Sequence, residues 1–293
     1  MIEIDIVPNL WSADFLQSFL VSWHGFLSFV AVATGVILVG RWAPMKGIDP
    51  DDIYSIAIWA IIGGVIGARV VHVIDNWNVL YADNPGQIFA IWNGGIGLWG
   101  GILGGFIGGA GYAALAKHPV GLIADLTAPA LAFAQSIGRI GDIVNGEHCA
   151  KATDLFFGMQ WTHSETAALS CANGYNNAVH PVILYEILWN TMSMAIVWAL
   201  RGRIRPNGML FALYMALYAT GRFIISFFRE DRIWAFGMQE AHYIALLVLA
   251  ITLPILIVRA RFQKKAPEDE VVAAPAVRGT RAERRRKARK VGL

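Results

Sequence analysis

Ile137-Gly138-Arg139-Ile140-Gly141-Asp142-Ile143-Val144-Asn145-Gly146-Glu147 sets an arginine, two carboxylates and an asparagine directly behind a long apolar run. Each of these side chains is expensive at a membrane boundary, so each needs a partner or a task there. The glycines allow a tight turn and close approach of a ligand. A helix end capped by polar residues on its way into a loop is the plainer alternative, and the stretch alone leaves both readings open. The surrounding chain decides the fold class. It has 293 residues, 56% of them hydrophobic and 15% charged, against roughly 25% charge in an average soluble domain. Its many Trp and Gly residues suit membrane spans and their edges. The pattern is that of an all-α, polytopic membrane protein, with the positive charge concentrated at the C-terminus.

Seven apolar runs, near the roughly 20 residues that cross a bilayer, fall at about 16–40, 53–75, 94–116, 119–137, 181–200, 208–228 and 239–261. Residues 1–14 carry Glu3, Asp5 and Asp14 and no basic residue. A secretory signal starts with a basic region, so the first span is expected to stay in the mature protein. The first, third and fifth connections carry Arg41 and Lys46, Lys117, and Arg201, Arg203 and Arg205, and the tail ends in a basic block. The second connection has no Lys or Arg; the fourth has Arg139 and Lys151, and the sixth Arg229 and Arg232. Basic connections stay cytoplasmic, which predicts seven spans with the N-terminus outside and the C-terminus inside. The expected division is a seven-span domain over 1–261, an exoplasmic loop at about 138–180, and a disordered basic cytoplasmic tail over 262–293 that touches anionic lipid or RNA without specificity.

The third span repeats glycine at Gly97, Gly101, Gly105 and Gly109, with a second ridge at Gly100, Gly104 and Gly108. Residues four apart share a helix face, so two adjacent ridges predict a flat, closely packed central helix. The loop at 138–180 exceeds an ordinary connection, and loops of that length are functional or disordered. Both cysteines, Cys149 and Cys171, lie in it and can pair if it faces an oxidising compartment. A zinc set of His148, Cys149, His163 and Cys171 matches no standard spacing.

With this orientation, polar residues from several spans converge in the outer half of the bilayer. Span four ends at Arg139. Span five begins at His180-Pro181, with Tyr185 and Glu186 in its first turns. Span six carries Tyr218 and Arg222 on one face, then Arg229. Span two carries Arg69 and His72, and span one His24. Arg222 lies about 10 Å below the outer end, at 1.5 Å rise per residue, too deep for an arginine that merely snorkels. Several cations with few carboxylates point to a buried anion. The abundant anion there is a phospholipid phosphate, which the planar guanidinium fork suits.

At this point the chain resembles a known family. Gly138-Arg139-Ile140-Gly141-Asp142-Ile143-Val144-Asn145-Gly146-Glu147 resembles the signature G-R-x-G-N-F-x-N-x-E of bacterial prolipoprotein diacylglyceryl transferases. His180-Pro181-Val182-Ile183-Leu184-Tyr185-Glu186 is similar to that family's H-P-x-x-L-Y-E. Tyr218-Ala219-Thr220-Gly221-Arg222-Phe223 with Phe227-Phe228-Arg229 is similar to Y-x-x-x-R-F and F-F-R. Trp92-Asn93-Gly94-Gly95 with Trp99-Gly100-Gly101, Gly67-Ala68-Arg69, and Asp125 with Pro129 also fit. The similarity covers about 16–261. The chain departs from the pattern at Asp142 for Asn, Ala150 for Gly, Trp99 for the His of many members, Ser226 for Glu and His24 for Tyr.

The resemblance implies transfer of the diacylglyceryl group of phosphatidylglycerol to the lipobox cysteine thiol of exported prolipoproteins, at the outer face of the bacterial plasma (inner) membrane. The products are a thioether and glycerol phosphate. That chemistry needs a thiolate and fixed cations for the leaving phosphate. It involves no redox change, so no cofactor or metal is expected, and no specific nucleic-acid partner. By resemblance Arg139 and Arg222 bind and stabilise the phosphate, while Asp142, Asn145 and Gly146 shape the headgroup site. Glu147 orients Arg139 or takes the thiol proton, and Tyr218 positions Arg222 or the lipid. Arg69, Trp99, His180, Glu186 and Arg229 complete the substrate-binding set. His24, Glu147 and His180 are the candidate bases, in that order. His24 as a buried, satisfied polar residue stays open. A protein of the same fold that binds or translocates phospholipid without the chemistry is the alternative, suggested by Trp99 and Ser226. A transporter is disfavoured because the polar groups cluster on one side rather than at the midplane. An intramembrane serine protease is disfavoured because G-x-S-x-G is lacking.

Overall fold

The computed structural model describes residues 1–12, 20–90, 95 and 97–263. The sequence readings at Trp92, Asn93 and Gly94, at the start of the first span, and over the basic tail from 264 lie outside these residues. Helices α1 (Trp23–Trp42), α2 (Pro50–Asp75), α3 (Leu98–Leu115), α4 (Val120–Asn145), α5 (Val182–Leu200), α6 (Met209–Ser226) and α7 (Glu240–Arg259) build the domain. Short strands β1 (Ile2–Ile4), β2 (Asn9–Ser12), β3 (Leu20–Ser22), β4 (Met159–Trp161), β5 (Ile204–Arg205) and β6 (Arg261–Phe262) pair as β1–β4, β2–β3 and β5–β6. Among the described residues six helices, all but α3, are long and apolar enough to cross a membrane. The protein is therefore a polytopic, all-α membrane protein.

Helix ends are satisfied locally. Asp49 caps α2 by accepting from the Asp51 N–H, with Pro50 in the first turn. Asp125 of α4 accepts from the backbone N–H groups of Gly208 and Phe211, at 2.9 Å each. It thereby meets two of the donors that the start of α6 leaves open. Helix α4 packs against α1, α5 and α6, and α7 covers α6. The glycine ridges of α3 lie against α2, which answers with its own Gly63, Gly64 and Gly67. A Cβ on Gly67, Gly100 or Gly104 would collide with backbone carbonyls across the seam. The flat surface expected from the spacing thus has a definite partner.

The sequence reading starts the loop at 138, but α4 continues through the signature to Asn145 and turns only at Gly146, φ +72°. The signature is the last two turns of a helix because its polar side chains find partners on neighbouring helices. The segment 146–181 is a folded cap. Its core joins Ala150, Met159, Trp161, Ala168 and Val179 to Ile4 of the N-terminal strand. Trp161 Nε1 donates to the Ile143 carbonyl at 2.7 Å, clamping the cap onto the end of α4. Cys149 and Cys171 form a disulfide with Cα atoms 5.2 Å apart, as their shared loop allowed. Serine at both positions is expected to lower stability by about 3 kcal/mol, the loop-closure entropy of a ring of this size. A thermal melt of the double variant against the native protein checks this.

Candidate functional site

The site lies where the cap-side ends of α1, α4, α5 and α6 meet. Its geometry starts at Gly141, where a Cβ would sit 2.8 Å from His24 Cα and 3.0 Å from the Trp23 carbonyl. Only glycine lets the start of α1 cross α4 this closely, and the crossing lays His24 on Asp142. His24 Nδ1 is 2.5 Å from Asp142 Oδ1 and 3.6 Å from Glu147 Oε2. Nδ1–H donates to the carboxylate, which leaves the Nε2 lone pair free on a ring that is 41% exposed. Two of the departures from the family pattern, His24 and Asp142, are thus one contact.

Asp142, 2% exposed, also receives Arg139 Nη1 at 2.6 Å on Oδ2. Arg139 Nε reaches Glu186 Oε2 at 2.5 Å. Glu186 Oε1 accepts from Arg222 Nη1 at 2.8 Å and faces Arg229 Nη1 at 3.7 Å. One buried carboxylate from α5 therefore gathers three guanidinium groups, so the arginines expected to meet a foreign anion are held ready by an internal one. Arg229 is 4% exposed, and its buried Nη1 makes no hydrogen bond. That group is a desolvated donor with spare capacity. Its Nε donates to Asp231 Oδ2 at 2.8 Å. Burial raises the Asp231 carboxyl, but the hydrogen bonds and charge of Arg229 outweigh this and hold it below the usual carboxylate range.

His148 is the residue the sequence missed, having been weighed only in the rejected zinc set. Its Nε2 lies 2.6 Å from Arg139 Nη1 and 3.3 Å from Asp142 Oδ2, and its Nδ1 lies 3.0 Å from Arg229 Nη2. It joins the α4 arginine to the one after α6. Its left-handed backbone, φ +73°, aims it inward, and its position one residue past the signature glutamate was the available signal. The neighbouring disulfide braces it, because the Cys149 carbonyl accepts from Glu230 N–H and Ala150 bridges to Arg229.

The remaining expected residues divide. Asn145 is buried, donates to Glu147 Oε1 at 3.1 Å and keeps an unpartnered Oδ1. At Gly146 a Cβ would strike Thr166 Oγ1 and the Trp161 ring. Tyr218 lines a small cavity beside Glu186 and Arg222. Arg69 is not brought to this group. Its guanidinium donates to the carbonyls of Gln87, Ile88, Ala90 and Gly95, because that irregular segment has carbonyls that need donors. His180 packs against Phe228 and lies 3.3 Å from the Tyr185 hydroxyl. Burial, aided by the charge of Lys151, lowers its imidazole below the ordinary range. Trp99 is half-buried in the first turn of α3 and makes no hydrogen bond to the arginine group among the described residues. Ser226 is fully buried and donates to the Arg222 carbonyl at 2.6 Å.

His24, Asp142 and Glu147 bring ligand atoms within 4.8 Å of one another, a spacing that can hold a metal ion. The charge of Asp142 is already engaged by Arg139 and His148, so the group fits an internal ion network better than a divalent cation. Chemically, the arrangement offers a cluster of fixed cations for an oxyanion and an imidazole whose free nitrogen can take a proton.

A family model described as "LGT: Prolipoprotein diacylglyceryl transferase" matches residues 12–258. A protein of Dehalococcoides mccartyi is 31% identical over 270 residues, 90% of this chain and 98% of its own length. One from Trichormus variabilis is 32% identical over 261 residues, 87% and 90% of the two chains. One from Streptomyces coelicolor is 34% identical over 257 residues, 86% and 72%. All three carry the name phosphatidylglycerol–prolipoprotein diacylglyceryl transferase.

Proposed function

The chain belongs to the prolipoprotein diacylglyceryl transferase family, and on that premise we propose that it moves the diacylglyceryl group of phosphatidylglycerol onto the lipobox cysteine of exported prolipoproteins. The observation that carries this reading is the convergence of Arg139, Arg222 and Arg229 on buried Glu186, beside the His24–Asp142 pair. The substrate thiol gives its proton to His24 Nε2. The thiolate sulfur then attacks the glyceryl carbon that bears the phosphate. A carbon–sulfur bond forms, the carbon–oxygen bond breaks, and glycerol phosphate leaves with the electron pair. Charge that develops on the leaving phosphate meets guanidinium groups already desolvated and oriented. Asp142 fixes the His24 tautomer and stabilises the imidazolium, while Glu147 and Asn145 shape the headgroup side.

In this reading the site opens to the outer leaflet of the inner membrane. Helix α3 is the seventh span, the N-terminus and the cap lie outside, and the C-terminus lies in the cytoplasm. The Lys/Arg asymmetry supports that orientation, and so does the pairing of β1 with β4 of the cap. Single cysteines introduced at 46 and 160 test it. A membrane-impermeant thiol reagent applied from outside is expected to label 160 and spare 46, and the reverse pattern inverts the orientation. The function itself is tested by incubating purified protein with phosphatidylglycerol and a lipobox peptide. A thioether-linked diacylglyceryl peptide is expected. Lipid binding without product selects the alternative of a lipid-binding protein of this fold.

A further inference from the structure

The small cavity between α5 and α6 is lined by Glu186, Trp189, Asn190, Tyr218, Arg222 and Ile225. Two of its side chains carry polar groups that make no hydrogen bond among the described residues, although the Tyr218 ring packs on Tyr214. Asn190 is 6% exposed, and among the described residues its amide makes no hydrogen bond. The Tyr218 hydroxyl makes none either. An amide without a partner on so buried a residue is uncommon in a folded chain, and its polar atoms are not sealed in the protein but border the cavity.

Its position says what fits. Asn190 stands one helical turn beyond Glu186 on α5, and Tyr218 one turn before Arg222 on α6. Both therefore lie about 6 Å, four residues at 1.5 Å, further from the cap than the arginine cluster. A phospholipid whose phosphate rests on the arginines directs its leaving headgroup toward the cap. Its glycerol backbone and acyl chains run the other way. The strong acceptors met in that direction are the ester carbonyl oxygens, which only accept hydrogen bonds and which an ether-linked chain lacks. The amide N–H groups of Asn190 and the hydroxyl of Tyr218 can donate. A saturated chain would leave both unsatisfied.

We propose that Asn190 and Tyr218 form a subsite for the ester carbonyls of the lipid donor, which makes the enzyme selective for ester-linked over ether-linked glycerophospholipid. The proposal rests on the transferase reading. It names the part of the lipid that stays on the product, whereas the arginines address the part that leaves.

The test compares phosphatidylglycerol carrying two ester-linked chains with the same lipid carrying two ether-linked chains. The full-length protein, the lipobox peptide and the detergent are kept constant. The ether lipid is expected to show about a tenfold lower kcat/KM, the worth of one or two neutral hydrogen bonds. In Asn190→Leu the ester-to-ether ratio is expected to fall to within about twofold. Thermal stabilisation by each lipid, measured without peptide, reads the same preference independently of turnover. Preferential stabilisation by the ester lipid without any transfer would sink the transferase reading and keep the subsite. Equal handling of the two lipids by the native protein would overturn the subsite and leave the transferase reading standing. A loss in Asn190→Leu that is equal for both lipids would likewise overturn it, by showing a structural role.

Discussion

Arg139→Lys and Arg222→Lys are each expected to lower turnover by about 10²–10³, the usual cost of one lost transition-state donor. The geometry explains why a conserved charge is not enough. Arg139 places Nη1 on Asp142 and Nε on Glu186, 2.6 and 2.5 Å away, so one planar group spans two carboxylates on different helices. A lysine ammonium is a point charge and cannot hold both. Arg222 holds the other oxygen of Glu186 at 2.8 Å and lines the cavity. If these arginines served only membrane orientation, lysine would replace them without penalty. Steady-state rates with phosphatidylglycerol, taken beside expression level and melting temperature, separate the two cases. Near-normal turnover in both variants removes the phosphate clamp and leaves the fold as it is.

His24→Ala is expected to lower turnover by about 10²–10⁴, the range of a lost general base, with little effect on lipid-dependent stabilisation. A base that must be unprotonated also sets the acid limb of the rate profile. Native activity should therefore decline on acidification as the imidazole takes up a proton, and that limb should vanish from the residual activity of the variant. Glu147→Gln, in contrast, is expected to keep the limb, since Glu147 lies 3.6 Å from the ring and accepts no hydrogen bond from it. A pH–rate series on the three proteins checks the assignment. Retention of the acid limb in His24→Ala would transfer the role of base to another group. His180 is poorly placed for it, packed on Phe228 with no ion-pair contact to the arginines among the described residues.

Hydropathy along the chain is enough to identify a helical membrane protein, because apolar runs of span length can be seen in one dimension. The sequence also singled out Arg139, Arg222, Glu186 and Asp142, since charge inside a span is costly enough to stand out in one dimension. The α3 glycine ridges showed that a close neighbour was needed. Only the three-dimensional structure showed that the neighbour is α2, because the partner glycines at 63, 64 and 67 are scattered among ordinary apolar residues. Helix α4 runs longer than its hydropathy indicates for a related reason. Polar residues read as a loop until Glu186 and His24 are seen to satisfy them from other helices. His148 was invisible because its importance comes from a left-handed backbone and from arginines 9 and 81 residues away. The same limit hid the relation between His24 and Asp142, two departures from the family pattern that are 118 residues apart and share a 2.5 Å contact. Hydropathy and the cost of isolated charge are properties of single residues and can be read along the chain. Which carboxylate answers which arginine is a property of pairs, and the packing of α1, α5 and α6 around the end of α4 decided it.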